Sequence, residues 1–294
     1  MSCEKWIEKH MSSLKGKTVA VSGATGGIGR QLCRHLLSLG ADLLLLDRNA
    51  CRSRELADTL RLLYPNAAIQ HITLDLSDFA SVKRATAELQ TKDLYALVLN
   101  AGAYSIPRTT CDTGYDNVFQ INFASPYYMV RTLMPQLSQN GTHLVAVGSI
   151  AHRYSKTDPA DVDFATCRAA SKVYGNAKRH LMFALHELFR DETRARLSIV
   201  HPGITFTNIT NHYPRPIYLL IKHPMKLIFM KPKKASLSIL YGIFTETAYH
   251  EWIGPRFFDI WGKPRKKRLF SVSDSESRYI GETAERVYTV LLEK

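Results

Sequence analysis

A tyrosine and a lysine four residues apart, in Tyr174-Gly175-Asn176-Ala177-Lys178, follow a serine, Ser149, in the middle of a 294-residue chain. On a helix this spacing puts phenol and ammonium on one face. A phenol is ordinarily a weak acid, with a pKa of about 10. A neighbouring ammonium favours the phenolate and is expected to draw that value toward neutrality. Such a phenol can give a proton to a carbonyl oxygen or take one from an alcohol. The pair alone would also fit an exposed amphipathic helix, so its weight comes from what precedes it.

What precedes it is a nucleotide cradle. Lys17 to Val21 reads as a strand, Ser22-Gly23-Ala24-Thr25-Gly26-Gly27-Ile28-Gly29 as a turn, and Gln31 to Leu39 as a helix with Leu32, Leu36 and Leu39 on one stripe and Gly40 as its stop. Strand, glycine turn and helix in that order give a glycine cluster its meaning. Glycines let the backbone approach a pyrophosphate, and the helix N-terminus supplies N–H donors and a favourable dipole. The next strand, Asp42 to Leu46, ends in Asp47-Arg48, eighteen residues past Gly29. A carboxylate there accepts hydrogen bonds from ribose hydroxyls and repels a 2′-phosphate, which favours NAD(H). Arg48 pulls the other way, toward the phosphate of NADP(H), so the second cofactor stays open.

By these motifs the chain resembles the short-chain dehydrogenase/reductase family, from about Leu14 to Leu292. Gly23-x-x-x-Gly27-x-Gly29, with Thr25, Gly26 and Ile28, is similar to the family's cofactor loop. Asp75-Leu76 is similar to its adenine contact, and Asn100-Ala101-Gly102 to its Asn-Ala-Gly motif. Asn122 matches the active-site asparagine, and Ser149, Tyr174 and Lys178 fill the other catalytic positions. His201-Pro202-Gly203-Ile204-Thr205-Phe206-Thr207 resembles the segment whose Pro202, Gly203 and Thr207 hold the nicotinamide amide. Within the family the likeness is to the retinol-dehydrogenase and protochlorophyllide-reductase-like branch, through Thr113-Gly114-Tyr115-Asp116, Ser149-Ile150-Ala151-His152 and the terminal Glu282 to Tyr288. Ser22, Leu99 and Gly148 depart from the usual threonine, asparagine and serine, and Asp47 departs from a frequent NADP pattern.

The resemblance implies roles. Ser149 positions a carbonyl oxygen, Tyr174 protonates it, Lys178 lowers the phenol pKa and holds the nicotinamide ribose, and Asn122 anchors a water linking Lys178 to solvent. Run backward, the phenolate is the base for alcohol oxidation. Tyr104, Tyr154, Phe206 and an apolar lid suggest a small hydrophobic alcohol or its ketone or aldehyde. Two alternatives stand beside this. Gly23, Gly26 and Gly29 also satisfy the Gly-x-x-Gly-x-x-Gly of the extended branch, which acts on nucleotide sugars, although Asn100-Ala101-Gly102 and Asn122 argue against it. A nucleotide-binding regulator that had lost turnover would keep the cradle.

Strands alternate with amphipathic helices from residue 17 to about 200. The expected fold class is therefore α/β: a single-domain, Rossmann-type doubly wound parallel sheet of about seven strands with helices on both faces. Strands are expected near 17–22, 41–47, 67–74, 94–100, 142–149, 195–201 and 255–260. Residues 1–14 read as an N-terminal extension, 15–294 as the domain and 208–234 as a substrate lid inserted in it.

Cys3, Cys33, Cys51, Cys111 and Cys167 lie far apart with no CxxC pair, and Met1 to His10 reads as neither signal peptide nor membrane span. Reduced thiols in a cytoplasm are the expectation. The eleven histidines show no metal-ligand spacing; His186-Glu187 lacks the second histidine of a zinc helix. The net charge of +13 is spread through the chain with no nucleic-acid module, so no nucleic-acid partner is expected. Residues 214–234 mix apolar side chains with Lys222, Lys226, Lys231, Lys233 and Lys234. That segment reads as a lid able to touch a membrane surface peripherally. The run from Lys263 to Arg268 reads as a solvated loop. A homodimer is left open.

Overall fold

A computed structural model describes residues 2–205, 229–270 and 272–294. Eight strands form one sheet in the order β3-β2-β1-β4-β5-β6-β7-β8. They are β1 Thr18–Ser22, β2 Asp42–Asp47, β3 Ile69–Thr73, β4 Ala96–Leu99, β5 His143–Val147, β6 Arg196–Val200, β7 Glu251–Phe257 and β8 Trp261–Arg268. All neighbours are parallel except β7 and β8, which form an antiparallel hairpin.

Parallel strands covered on both faces must be apolar on both. Leu43, Leu44, Leu45 and Leu46 of β2 are all buried, each stabilising by about 1.5–3 kcal/mol relative to an exposed side chain. The pleat sends Val19, Val21, Leu43 and Leu45 to one face and Ala20, Leu44 and Leu46 to the other. The first face is covered by α1 Cys3–His10, α2 Gly27–Ser38, α3 Ala50–Leu63 and α8 Pro232–Phe244. The second is covered by α4 Phe79–Leu89, α6 Ser125–Asn140, α7 Ala170–Leu188 and α9 Asp274–Leu292. A short helix, α5 Asn117–Phe119, runs into α6 through a widened π-helical turn at Gln120–Ala124.

Two expectations are corrected. The sheet has eight strands rather than about seven, and Lys263 to Arg268 belongs to β8 instead of a solvated loop. Its composition misleads because β8 is an edge strand. Arg265, Lys266 and Arg268 stand in solvent, and charge on an outer strand discourages pairing with another chain. β7 also begins earlier, at Glu251, than the expected 255.

Residues 1–14 carry α1, capped by Ser2, whose Oγ accepts from Lys5 N. Trp6 is buried with its ring 5.9 Å from Tyr241, and Glu4 pairs with Lys233. Of the expected lid, 208–228 lies outside the described residues; Met230 pairs with Thr205, and 232–234 open α8.

Candidate active site

The cradle is built where β1 ends. Ser22 Oγ accepts from the backbone N–H of Asn100 and of Ala101, each at 3.0 Å, and donates to Val98 O at 3.2 Å. Asn100 Nδ2 donates to the carbonyls of Ser22 (2.9 Å) and Gly23 (3.2 Å). The Asn-Ala-Gly segment is thereby laced to the glycine loop. Gly23 turns the chain at φ +66°, and a Cβ at Gly29 would stand 2.3 Å from Gly23 O. Helix α2 starts at Gly27, earlier than the sequence pattern suggested, and its N-cap Gly26 has no side-chain acceptor. The first-turn N–H groups of α2 therefore remain for an anion.

A cleft of about 470 Å³ runs from this loop past Asp47, Arg48, Asp75 and Leu76 to Asn100-Ala101-Gly102, Tyr104, Ile106 and Ile121. Asp47 is buried. Its Oδ1 accepts from Thr25 N (3.0 Å) and Thr25 Oγ1 (2.8 Å), and its Oδ2 from Ser53 Oγ (3.3 Å). The carboxylate thus pins the glycine loop as well as facing the cleft. Arg48 is exposed beside it. Asp75 folds on itself, Oδ1 accepting from Ser77 N and Oγ at 2.9 and 2.6 Å. Leu76 is buried, and its carbonyl accepts from Ser125 Oγ at 2.7 Å. A glycine-lined cradle, an uncapped helix N-terminus and a carboxylate at the end of β2 fit a dinucleotide.

At the far end stand the four catalytic candidates. Ser149 follows β5 and caps the 3₁₀ turn Ile150–Tyr154, its Oγ accepting from Ala151 N at 3.2 Å. Its hydroxyl lies near the Tyr174 phenol and draws that phenol's pKa down. The Tyr174 ring, half-buried, meets Tyr104 edge-on at 5.3 Å. Gly175 permits this approach of α7, because a Cβ there would lie 2.3 Å from Ala151 O. Lys178, one turn on, is buried; its Nζ donates to Val147 O at 2.9 Å and lies 5.8 Å from the Tyr174 ring centroid. Asn122 occupies the π-helical turn, a geometry that often marks functional positions. Its Nδ2 donates to Ala103 O (2.8 Å) and Val118 O (2.9 Å), and its Oδ1 accepts from Ala103 N (3.2 Å). Gly102 joins these groups: a Cβ on it would stand 2.7 Å from Asn122 Oδ1 and 3.5 Å from Lys178 Nζ.

The electrostatics correct one expectation. Burial pushes the Tyr174 phenol up, to about 12, with the Ser149 hydrogen bond pulling down and Tyr104 pushing up. Burial brings the Lys178 ammonium down, to about 8. Within the protein alone, desolvation of the phenolate is the largest effect on Tyr174, and the Lys178 ammonium donates to the Val147 carbonyl.

Pro202 and Gly203 are buried beyond β6, with Gly203 at φ +86° against Ile260 O. Thr207 and Phe206 lie outside the described residues. Tyr154 is exposed. Sequence reasoning missed the apolar wall of Ile106 and Ile121 and the Val147 carbonyl that orients Lys178. A backbone carbonyl leaves no trace in residue types, and an isoleucine reads as core. Gly148, where a serine is common, faces Met182, whose Sδ would lie 2.7 Å from an added Cβ.

Comparison with known proteins identifies the family. A sequence profile of the short chain dehydrogenase family matches residues 17–216. The chain is similar to human polyprenol dehydrogenase, 21% identical over 240 residues (78% of this chain, 73% of that one). It is similar to human retinol dehydrogenase 14, 26% identical over 286 residues (90% and 83%). It is also similar to short chain dehydrogenase resG of Aspergillus sclerotiorum, 32% identical over 229 residues (67% and 64%). Among solved structures, a Mycobacterium paratuberculosis protein matches with TM-score 0.72 at 20% identity, covering 96% of this chain and 94% of that one. A short-chain dehydrogenase from Sphingobium yanoikuyae in complex with NADPH matches with TM-score 0.61 at 19% identity (92% and 93%). The chain belongs to the short-chain dehydrogenase/reductase family, in its retinol-dehydrogenase-like branch. It is an NAD(P)-dependent oxidoreductase of alcohols and carbonyl compounds.

Proposed function

We propose that the chain interconverts a hydrophobic alcohol and its ketone or aldehyde, with Tyr174 as the proton-transfer group and NAD(H) as the favoured cofactor. The observation that carries the reading is the convergence of Ser149, Tyr174, Lys178 and Asn122 at the end of the dinucleotide cleft. When bound, the nicotinamide would supply the hydride. The cradle of Gly23, Gly26, Gly27 and Gly29, the N-terminus of α2 and Asp47 would hold the nucleotide. Asp75 and Leu76 would meet the adenine, and Asn100 to Gly102 with Pro202, Gly203 and Thr207 would flank the nicotinamide.

Ser149 Oγ, near the phenol, orients the carbonyl oxygen beside it. Tyr174, with its pKa near 12, is protonated at neutral pH and suited to donate its proton to that oxygen in reduction; in oxidation the same oxygen takes a proton from the alcohol. Lys178 spends one of its three donors on Val147 O, and the others serve the nicotinamide ribose and the proton path. Asn122 holds the Ala103 backbone at both N–H and C=O and anchors the water through which Lys178 exchanges protons. Tyr104, Ile106 and Ile121 form an apolar wall at this end of the cleft. With relatives named for a polyprenol and a retinol, that wall supports a long apolar alcohol.

The test is a screen of aliphatic, isoprenoid and aromatic aldehydes, ketones and alcohols with both cofactors, following nicotinamide absorbance in wild type and Tyr174→Phe. Turnover that falls about 10²–10⁴-fold in the variant, with cofactor affinity unchanged, is expected. Retention of more than about a tenth of kcat would show that another group delivers the proton. Cofactor binding with no turnover of any member of the panel would favour a silent nucleotide-binding regulator.

A further inference from the structure

The β7–β8 hairpin presents a feature that the chemistry of the cleft does not use. Phe258 is 81% and Phe257 53% exposed at its tip, with Phe270, 57% exposed, at its base. Large apolar side chains grouped in solvent mark a contact surface. The tip is held in that shape at a cost. Phe258 and Asp259 both have positive φ, +51° and +58°, a conformation in which a bulky residue is a true outlier. Strain of this kind persists where surrounding structure enforces it. Here the enforcement is visible. Asp259 is buried, its Oδ1 accepts from Lys267 Nζ at 2.6 Å, and its Oδ2 lies 3.6 Å from Arg153. An inward-clamped aspartate fixes the turn while its neighbour Phe258 projects outward.

The charge around the aromatics has one sign. Residues 251–270 contain six basic residues (Arg256, Lys263, Arg265, Lys266, Lys267, Arg268) and two acidic ones (Glu251, Asp259), within a chain of net charge +13. Lys266 and Lys267 are paired within the hairpin. Arg256 lies over the Phe257 ring at 5.4 Å and Arg265, opposite Gly254, is exposed behind it, whereas Arg268 lies opposite Glu251 at the base of the hairpin. Exposed phenylalanines rimmed by arginines suit a surface that is apolar beneath and anionic on top. Location adds a third observation. β7 runs parallel to β6, so its end lies at the carboxyl edge of the sheet, where Ser149 and the glycine loop also lie. The hairpin turn touches the nicotinamide-side segment: Ile260 O and Pro255 Cγ lie 3.0 and 3.1 Å from the position of a Cβ on Gly203.

We propose that the tip of the β7–β8 hairpin is a docking element for an anionic lipid surface, with Phe257 and Phe258 entering the interface and Arg256 and Arg265 meeting the headgroups. Docked this way, the catalytic edge of the sheet faces the bilayer. Binding is independent of the reading of substrate and mechanism above, because it is measured without turnover.

The experiment is co-sedimentation of the full-length protein with vesicles of phosphatidylcholine alone or with phosphatidylglycerol added. Wild type, Phe257→Ser/Phe258→Ser and Arg256→Gln/Arg265→Gln would be compared. Wild type should bind the anionic vesicles and not the zwitterionic ones, and lose binding as salt is raised. Each double variant should bind at least about tenfold more weakly, with unchanged thermal midpoint because the replaced side chains already face water. Folded wild type that binds neither vesicle would overturn the proposal. So would undiminished binding of the phenylalanine variant, which would place lipid contact elsewhere, as in the basic segment 214–234. A wild-type dimer that the phenylalanine variant dissociates would assign the tip to a second copy of the chain and also overturn it.

Discussion

Asp47 carries two tasks that a pair of substitutions separates. Its carboxylate pins the glycine loop through Thr25, at 3.0 Å to N and 2.8 Å to Oγ1, and faces the cleft where the adenosine ribose is proposed to lie. An ionised carboxylate has about four acceptor sites. The three bonds from Thr25 and Ser53 therefore leave about one site for ribose. Asp47→Asn keeps an oxygen for Thr25 and removes the charge. Hydrogen bonds to a charged group are worth about 1.5–3 kcal/mol against about 0.5–1.5 for neutral ones. One ribose bond losing roughly 1 kcal/mol weakens NADH about fivefold. Ending the repulsion of a 2′-phosphate and freeing Arg48 should improve NADPH about tenfold, so the kcat/KM ratio moves by about 50-fold. Asp47→Ser moves the ratio the same way. It also leaves the Thr25 N–H without its acceptor, at about 1–3 kcal/mol, and so weakens both cofactors. The assay is kcat/KM for NADH and NADPH at one fixed substrate. A wild type that prefers NADPH would show that Arg48 outweighs Asp47. A wild type that prefers NADH but keeps its ratio in Asp47→Asn would show that the carboxylate serves the loop alone.

Two further outcomes are expected. Gly175→Ala puts a Cβ 2.3 Å from Ala151 O and 2.8 Å from Ser155 Oγ, so α7 must retreat from the Ser149 turn. kcat should fall by roughly 10–100-fold despite the ~1 kcal/mol that alanine adds to helix propensity. Gly148→Ala meets only the flexible Met182 side chain and should stay within about threefold; equal kcat in the two variants would refute the argument. Burial holds His143, His152, His180, His186 and His201 neutral, with pKa values near 4. The unfolded chain takes up those protons near pH 6.5, so stability is lost as pH falls from about 6.5 toward 4, by up to roughly 3 kcal/mol per ring. Urea midpoints that stay level between pH 7 and pH 5 would contradict this.

The sequence by itself determined the α/β alternation, the cradle and the order of the motifs, because each rests on local rules. Apolar strand residues, glycines at a turn and a four-residue helical spacing follow from the chain within a few residues of each position. Tertiary structure decided what depends on distant neighbours. Lys178 is turned to Val147 O, 31 positions away, and Gly175 matters because Ala151 lies against it. The Tyr174 pKa rises where the spacing alone suggested a fall, because the cost of burying a phenolate is set by everything packed around it and not by one lysine. The basic run Lys263 to Arg268 is a strand because β7 supplies its hydrogen bonds. Composition sees the charges, but pairing with a partner strand is a property of the folded sheet.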